Sequence, residues 1–212
     1  MTDARQPCAT GACSGRSRYA PSRRLTFTVF LMRVLCAGLS LLLLVLGSRA
    51  VGLHWSLTDS VPPGFYRRTH EPLARGLFIA FCLPPTAAQF GHARSYIQHV
   101  PDWPLVRECP SGSQPLLKPI AAVAGDVVEL TAETVRINGT RMPDSATHAQ
   151  DSRGRPLPHW PWGRYQLAPG ELWVMSPYHP ASWDSRYFGP IRTESVIATA
   201  APLWVWPTAE VH

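Results

Sequence analysis

The sequence predicts a mainly β domain joined to one N-terminal membrane-spanning helix, and three observations support this class. Proline occupies 22 of the 212 positions, about twice the usual share, which disfavours a helical bundle. After residue 50, short runs of β-branched and aromatic residues alternate with turn residues, as in strand-rich domains. Residues 25–48 form an apolar run with one charge, Arg33. This run exceeds the roughly 20 residues that a helix needs to cross a bilayer.

The charges around the apolar run predict its orientation. Residues 1–49 contain seven arginines and one acidic residue. By the positive-inside rule we expect residues 1–24 to be a basic cytoplasmic tail, residues 25–48 a single-pass anchor in a bacterial inner membrane, and residues 50–212 a periplasmic domain. A cleaved signal peptide is the alternative, because Ser48-Arg49-Ala50 fits a small-x-small cleavage site. The length of the run with its flanks and the arginine inside that site favour the retained anchor.

The domain after the anchor is electrically neutral. Residues 50–212 carry thirteen basic and thirteen acidic side chains. Binding to phosphate backbones requires a basic surface, so no nucleic-acid partner is expected. One of those basic residues is Lys118, the single lysine of the chain.

Two cysteines, Cys82 and Cys109, lie in the predicted exported domain. Disulfides persist on the oxidising side of a membrane, so we expect this pair to be bonded. The loop would stabilise the domain by roughly 3 kcal/mol in the chain-entropy description. A metal site is the alternative, but His92 and His99 between them lie at no recognised ligand spacing. Neither a metal nor another cofactor is expected.

The pattern of apolar and turn residues predicts the individual elements. The Asn138-Gly139 pair predicts a tight hairpin turn. A short helix is expected at 86–97 and a long loop at 144–162. Tryptophan is concentrated in the second half, either as core filling or as rings at the level of lipid headgroups. The predicted strands are 76–82, 126–130, 134–137, 171–175 and 195–206.

Two segments offer the components of a nucleophilic site. In segment 58–66 a Pro-Pro-Gly turn follows Ser60 and holds its hydroxyl in a fixed direction. An ordinary turn that enters a strand would have the same sequence pattern. In segment 115–126, Lys118 is surrounded by leucine, isoleucine and valine. Apolar surroundings lower the pKa of an ammonium and make the neutral amine available as a base. Arginine cannot serve in this way, and it fills the other basic positions of the chain.

A third segment, 182–190, places an acid, two hydroxyls and an arginine ahead of a Gly-Pro turn. Such a run can bond its own backbone and position a neighbouring base. A structural Asp–Arg pair in a turn is an equally good interpretation of this segment alone.

Taken in order, the three segments resemble type I signal peptidases, and most closely the conjugative-transfer (TraF-type) branch. The resemblance covers about residues 50–200. It departs from the family pattern at Pro119, which follows the lysine, and at Ala124, where a proline is usual before Gly-Asp. Neither departure removes a reacting group. Further similar stretches are 108–112, 154–158 and 169–173.

The resemblance implies a signal-peptidase-like, β-rich serine peptidase domain with a serine–lysine dyad. Ser60 would attack the scissile carbonyl and neutral Lys118 would take its proton. The backbone N–H of Ser60 and the hydroxyl of Thr58 would form the oxyanion hole. The residues expected to orient the lysine and its loop are Asp184, Ser185 and Arg186.

We therefore expect a membrane-anchored serine endopeptidase that processes an exported precursor, in particular a conjugative pilin. Its expected partners are that precursor, membrane lipid and the conjugation machinery. A general signal peptidase and a non-catalytic component of a conjugation or secretion apparatus are the alternatives. Whether the acyl-enzyme is released by water or by the substrate's own N-terminus stays open.

Overall fold

The structure is a computed structural model that describes residues 23–56, 58, 60–97 and 109–206. Its first element, α1, is a helix over Arg23–Ala50 that includes the predicted anchor. Within it, Phe27–Ser48 has a mean hydropathy of 2.6, long and apolar enough to cross a membrane by length and composition. In the described part of the chain this is the one such helix. Residues 1–22 of the predicted basic tail lie outside the described residues.

The larger sheet has seven strands and mainly antiparallel neighbours, in the spatial order β1-β2-β11-β3-β4-β9-β10. Its strands are β1 (Leu53–Ser56), β2 (Gly64–Thr69), β3 (Phe78–Phe81), β4 (Leu116–Ala122), β9 (Glu171–Val174), β10 (Ile191–Arg192) and β11 (Val196–Val205). Strand β11 pairs with both β2 and β3, so the last part of the chain joins the turn after β1 to the centre of the sheet.

The smaller sheet has four strands in the order β7-β6-β5-β8. Asn138 and Gly139 connect β6 to β7 with φ angles of 50° and 81°. Two successive positive φ values are those of the tight primed turn that the Asn-Gly pair predicts. The strands are β5 (Val127–Leu130), β6 (Val135–Ile137), β7 (Thr140–Arg141) and β8 (Gly163–Gln166).

Two helices lie within the β-rich part. Helix α2 covers Pro85–Arg94 and corresponds to the helix expected at 86–97. Helix α3 is a single turn, Ser185–Phe188, whose N-cap Asp184 accepts a hydrogen bond from the backbone N–H of Arg186. The predicted loop at 144–162 is irregular apart from one bridge between Gln150 and Pro156.

The mainly β class is confirmed, and every predicted strand has a counterpart. The sequence did not predict six strands, β1, β2, β4, β7, β8 and β10. Cys82 and Cys109 form a disulfide with their Cα atoms 5.4 Å apart. The bond joins the end of β3 to the chain that leads into β4.

Three apolar clusters hold the sheets together, and the smallest of them positions the site. It contains Val61, Tyr66, Leu117 and Ala200, with Phe78 packed against it. Val61 directly follows Ser60, and Leu117 directly precedes Lys118. Packing of their neighbours in one cluster therefore brings the turn after β1 next to β4.

Candidate active site

Ser60 lies in the turn between β1 and β2, and several bonds fix the chain on its C-terminal side. Val61 is fully buried. The hydroxyl of Tyr66 donates to the carbonyl of Pro62 at 2.6 Å. The backbone N–H of Trp206 donates to the carbonyl of Pro63 at 2.9 Å. Ser60 itself is half-buried and faces a cleft. The Pro-Pro-Gly turn is thus fastened to β2 and β11 immediately after the serine.

Lys118 lies in β4, opposite Ile79 of β3. Its side chain is 3% exposed, yet it also contributes to the cleft. Burial lowers the pKa of Lys118 to about 8, because the ammonium loses its hydration. Asp184 acts in the opposite direction and Arg186 lowers the pKa further. At neutral pH or slightly above, an appreciable fraction of this amine is neutral.

Ser182 connects the amine to the serine. The Nζ of Lys118 donates to the Oγ of Ser182 at 2.6 Å. The Ser182 hydroxyl in turn lies 3.4 Å from the Oγ of Ser60, at the long end of the hydrogen-bond range. Ser182 is one of the two hydroxyls in the 182–190 run, which was expected to be able to position a neighbouring base, but it was not among the three residues singled out for that role. The structure therefore adds Ser182 to the two residues that the sequence singles out.

Asp184 and Arg186 form a fully buried ion pair next to Ser182. Both guanidinium-to-carboxylate bonds are short, with Nε to Oδ1 at 2.8 Å and Nη2 to Oδ2 at 2.9 Å. Arg186 also donates to the carbonyl of Ser182 at 2.9 Å and to that of Ala146 at 2.8 Å. The pair thus holds the backbone that carries Ser182.

Ser185 bonds to the sheet rather than to the amine. Its Oγ accepts a hydrogen bond from the backbone N–H of Val174 at 3.0 Å. We expected Asp184, Ser185 and Arg186 to orient Lys118 and its loop. The amine of Lys118 donates its hydrogen bond to Ser182 instead, and Asp184, Ser185 and Arg186 fix the loop that carries this serine.

Thr58 lies at the cleft, two residues before Ser60. It is exposed, and its hydroxyl is 3.4 Å from that of Ser56. The neighbouring residues 57 and 59 lie outside the described residues. Thr58 is thus placed on the same cleft as Ser60.

The cleft has a volume of about 940 Å³. Ser60, Lys118 and Ser182 contribute to its lining, as do the aromatic residues Tyr96 and Trp183. The two aromatic rings meet edge to face, with centroids 5.5 Å apart. Among the described residues no cluster of three or more histidine, cysteine or acidic side chains could hold a metal ion. A nucleophile, a base that can be neutral and an apolar cleft suit acyl transfer on an extended peptide.

Comparison with known protein families gives a match over nearly the whole described chain. The family model described as signal peptidase, peptidase S26, matches residues 24–206. The match contains Ser60, Lys118 and the 182–190 segment.

Individual proteins are also similar to this chain. A plasmid transfer protein TraF of Escherichia coli is 34% identical over 175 residues, 82% of this chain and 94% of that protein. A conjugal transfer protein TraF of Agrobacterium tumefaciens is 32% identical over 159 residues, 73% of this chain and 84% of that protein. A crystal structure of a signal peptidase I from Enterococcus faecalis covers 62% of this chain and 98% of its own, with 20% identity and a TM-score of 0.33.

Proposed function

This chain belongs to the signal peptidase family, peptidase S26, and we propose that it is a membrane-anchored serine endopeptidase that processes an exported precursor in conjugation. One observation carries the proposal. Lys118 is buried, has a pKa of about 8, and is linked through Ser182 to the hydroxyl of Ser60. This arrangement has the components of an activated serine, with an amine as the base.

The reaction follows from these contacts. Ser60 Oγ attacks the scissile carbonyl, and its proton passes to neutral Lys118, directly or through the hydroxyl of Ser182. The backbone N–H of Ser60 and the hydroxyl of Thr58 stabilise the oxyanion. Collapse of the intermediate breaks the C–N bond, and the ammonium of Lys118 returns the proton to the leaving amine. Water, or the amine of the substrate's own N-terminus, then attacks the ester and releases Ser60.

The sequence of α1 supports an inner-membrane location. Its apolar stretch follows an arginine-rich segment, which supports a cytoplasmic N-terminus and a periplasmic β-rich domain. The Cys82–Cys109 disulfide is compatible with that compartment.

Exposed tryptophans on the larger sheet support contact with membrane lipid. Trp204 is 68% exposed and Trp55 58% exposed, although both belong to strands of the larger sheet. By contrast Trp173 is fully buried, so core filling explains some of the tryptophans and not others. Indole rings are favoured at the level of lipid headgroups. The exposed apolar residues of β1 and β11 are Trp55, Leu203, Trp204 and Val205.

The substrate class rests on the relatives. Those named above are plasmid or conjugal transfer proteins, which favours a precursor exported for conjugation, such as a pilin, and contact with the conjugation machinery. A general signal peptidase would instead support growth of a strain that lacks its own leader peptidase. If the protein were a non-catalytic component, its Ser60→Ala variant would still restore plasmid transfer.

The test is processing of a co-produced conjugative pilin precursor, followed by mass spectrometry. We expect Ser60→Ala and Lys118→Arg each to abolish processing while the protein still accumulates in the membrane. Lys118→Arg is the sharper variant, because it retains a cation and removes the neutral amine. Ser195→Ala is the control, since the Ser195 hydroxyl bonds to the carbonyl of Arg192 away from the cleft. Processing by the Lys118→Arg variant would disprove the dyad. A product lighter by one water than the hydrolysed form would indicate ring closure.

A further inference from the structure

Ser176 lies directly behind the nucleophile. It comes two residues after β9 and is fully buried. Its hydroxyl donates to the carbonyl of Ser60 at 2.6 Å. Its backbone N–H donates to Oδ2 of Asp184 at 3.2 Å. Its Oγ also accepts from the backbone N–H of Tyr178 at 3.1 Å. One residue therefore connects the backbone of Ser60 to the buried ion pair.

We propose that Ser176 is a positioning residue for the nucleophile, an inference that rests on the proposed function of Ser60. The carbonyl that Ser176 holds belongs to Ser60 itself, so the bond restricts rotation of that backbone. The direction of the Ser60 side chain follows from the backbone, and its Oγ lies 3.4 Å from that of Ser182. A small rotation of the turn would carry Ser60 out of reach of Ser182.

The buried Asp184–Arg186 ion pair anchors the hydrogen bond between Ser176 and the carbonyl of Ser60. Asp184 is held by two guanidinium bonds and one backbone N–H bond from Arg186, and Arg186 also holds the carbonyl of Ser182. Through Ser176, the same pair holds the carbonyl of Ser60. The same buried ion pair therefore fixes the backbone of both Ser60 and Ser182, although these residues lie far apart in the sequence.

Ser176 acts through Ser60 and not on the substrate. Its side chain is fully buried, and it is not among the residues that line the cleft. Loss of its hydroxyl should therefore lower kcat and leave KM unchanged. Because Lys118 bonds to Ser182 and not to Ser176, the pH at which the rate is half-maximal should stay unchanged as well.

Ser145 provides a control in the loop that follows β7 of the smaller sheet. It is 3% exposed, and its hydroxyl donates to the carbonyl of Met142 at 2.7 Å. The same oxygen accepts from the backbone N–H of Val135 at 3.0 Å. Replacement of either serine by alanine removes one bond to a carbonyl and one from a backbone N–H, and at Ser145 it also removes a 3.1 Å contact with the Thr134 hydroxyl. A purely structural role predicts the same consequences at both positions.

The experiment uses the full chain in phospholipid vesicles and an internally quenched peptide with alanines before the cut. Rates are normalised to the folded fraction, measured by near-ultraviolet circular dichroism. For Ser176→Ala we expect kcat to fall about 10- to 100-fold, the range that misplacement of a reacting group produces. KM should stay within about twofold and the pH midpoint unchanged. Ser145→Ala should retain kcat within about twofold, and Ser176→Thr, which restores the hydroxyl, should recover part of the loss.

Equal kcat values for Ser176→Ala and Ser145→Ala would overturn the inference. A loss that appears in KM or as a shifted pH midpoint would overturn it too. Rates are expressed per folded molecule. If Ser176→Thr folds poorly, the comparison of Ser176→Ala with Ser145→Ala still decides the question. Ser60→Ala is measured in the same assay. If it cleaves the peptide as the wild type does, the proposed function fails and the role of Ser176 fails with it. If Ser60→Ala is inactive and Ser176→Ala is fully active, the role of Ser176 alone is wrong.

Discussion

The two sheets differ in what they bury. The larger sheet and its loops enclose ionisable groups, with Lys118 3% exposed and Asp184 and Arg186 fully buried. The smaller sheet closes over an apolar cluster. Members of that cluster include Val128, Leu130, Val135, Ile137 and Trp173. The larger sheet also has an apolar cluster of its own, and Trp173 comes from its strand β9. The difference is that the buried charged groups of the site lie around the cleft and not in the cluster under the smaller sheet.

This difference shows which region of the protein contains buried charges that lower the free energy of unfolding. Removing charges from water is unfavourable, and a buried ion pair often stabilises a protein less than apolar residues of the same volume would. Around Lys118 that cost accompanies a lowered pKa and a fixed Ser182, both of which serve the proposed chemistry. No reacting group was found in the smaller sheet, and its interior follows the usual hydrophobic pattern.

Breaking the buried ion pair should have the largest effect on stability. Asp184→Ala leaves the Arg186 guanidinium buried without its carboxylate. We expect a loss of about 3–5 kcal/mol in the free energy of unfolding. Denaturant unfolding of the full chain in detergent measures it. Glu129→Ala, which breaks the exposed pair with Arg164 of the smaller sheet, should cost less than about 1 kcal/mol. Similar losses for the two variants would remove the contrast between the sheets.

Replacing the base with an apolar side chain should stabilise the protein at neutral pH. The pKa of Lys118 is about 8 in the folded protein, below the ordinary 10.5. Between these values the unfolded chain binds the extra proton, so wild-type stability rises with pH across this window. Below about pH 8 the cost of burying the charged amine is fully present. Lys118→Met has no such dependence. We expect it to be inactive yet more stable by roughly 3 kcal/mol at pH 7.

Unfolding of the Lys118→Met variant and of the wild type as a function of pH checks this expectation. The difference in stability should shrink as pH rises from about 8 toward 10.5. A difference that is independent of pH would mean that desolvation of the ammonium is not its cause.

A small effect on stability, and none on activity, is expected in the hairpin of the smaller sheet. Gly139 has a φ of 81°, and a Cβ added there would meet no atom within 4 Å. Gly139→Ala therefore adds only backbone strain, about 1 kcal/mol. Peptide cleavage per folded molecule should be unchanged. A marked fall in kcat would show that the smaller sheet takes part in the site after all.

Much of the fold followed from local patterns, but strand β4 did not. Pro119 lies within it, and proline is rare in central strands because it lacks a donor. The strand tolerates it because Ile120 donates to Leu77 on the β3 side, while Pro119 accepts from Met175 on the other. The register with β9 also shifts just beyond this point. Such compensation depends on tertiary neighbours and leaves no signal in the sequence.

In the candidate site, too, some residues could be predicted from the sequence and others could not. Ser60 and Lys118 could be predicted because a rigid turn and an apolar setting surround them in the sequence itself. Ser182 and Ser176 could not, because each acquires its role from a distant partner. Ser182 lies 64 positions from Lys118, and Ser176 lies 116 positions from Ser60. No short motif encodes such a contact between two serines or between a serine and a carbonyl.

The Cys82–Cys109 disulfide has a consequence for how such proteins can diverge. The pairing of Ile79 with Lys118 decides which face of β4 the amine occupies, and a shift of one residue would turn it away. The disulfide and the β3–β4 ladder hold both ends of residues 83–108. Insertions or deletions within that stretch therefore leave the register of Lys118 intact. Because the stretch contributes Tyr96 and Ile97 to the cleft, its length and composition can drift with the substrate while the reacting groups stay in place.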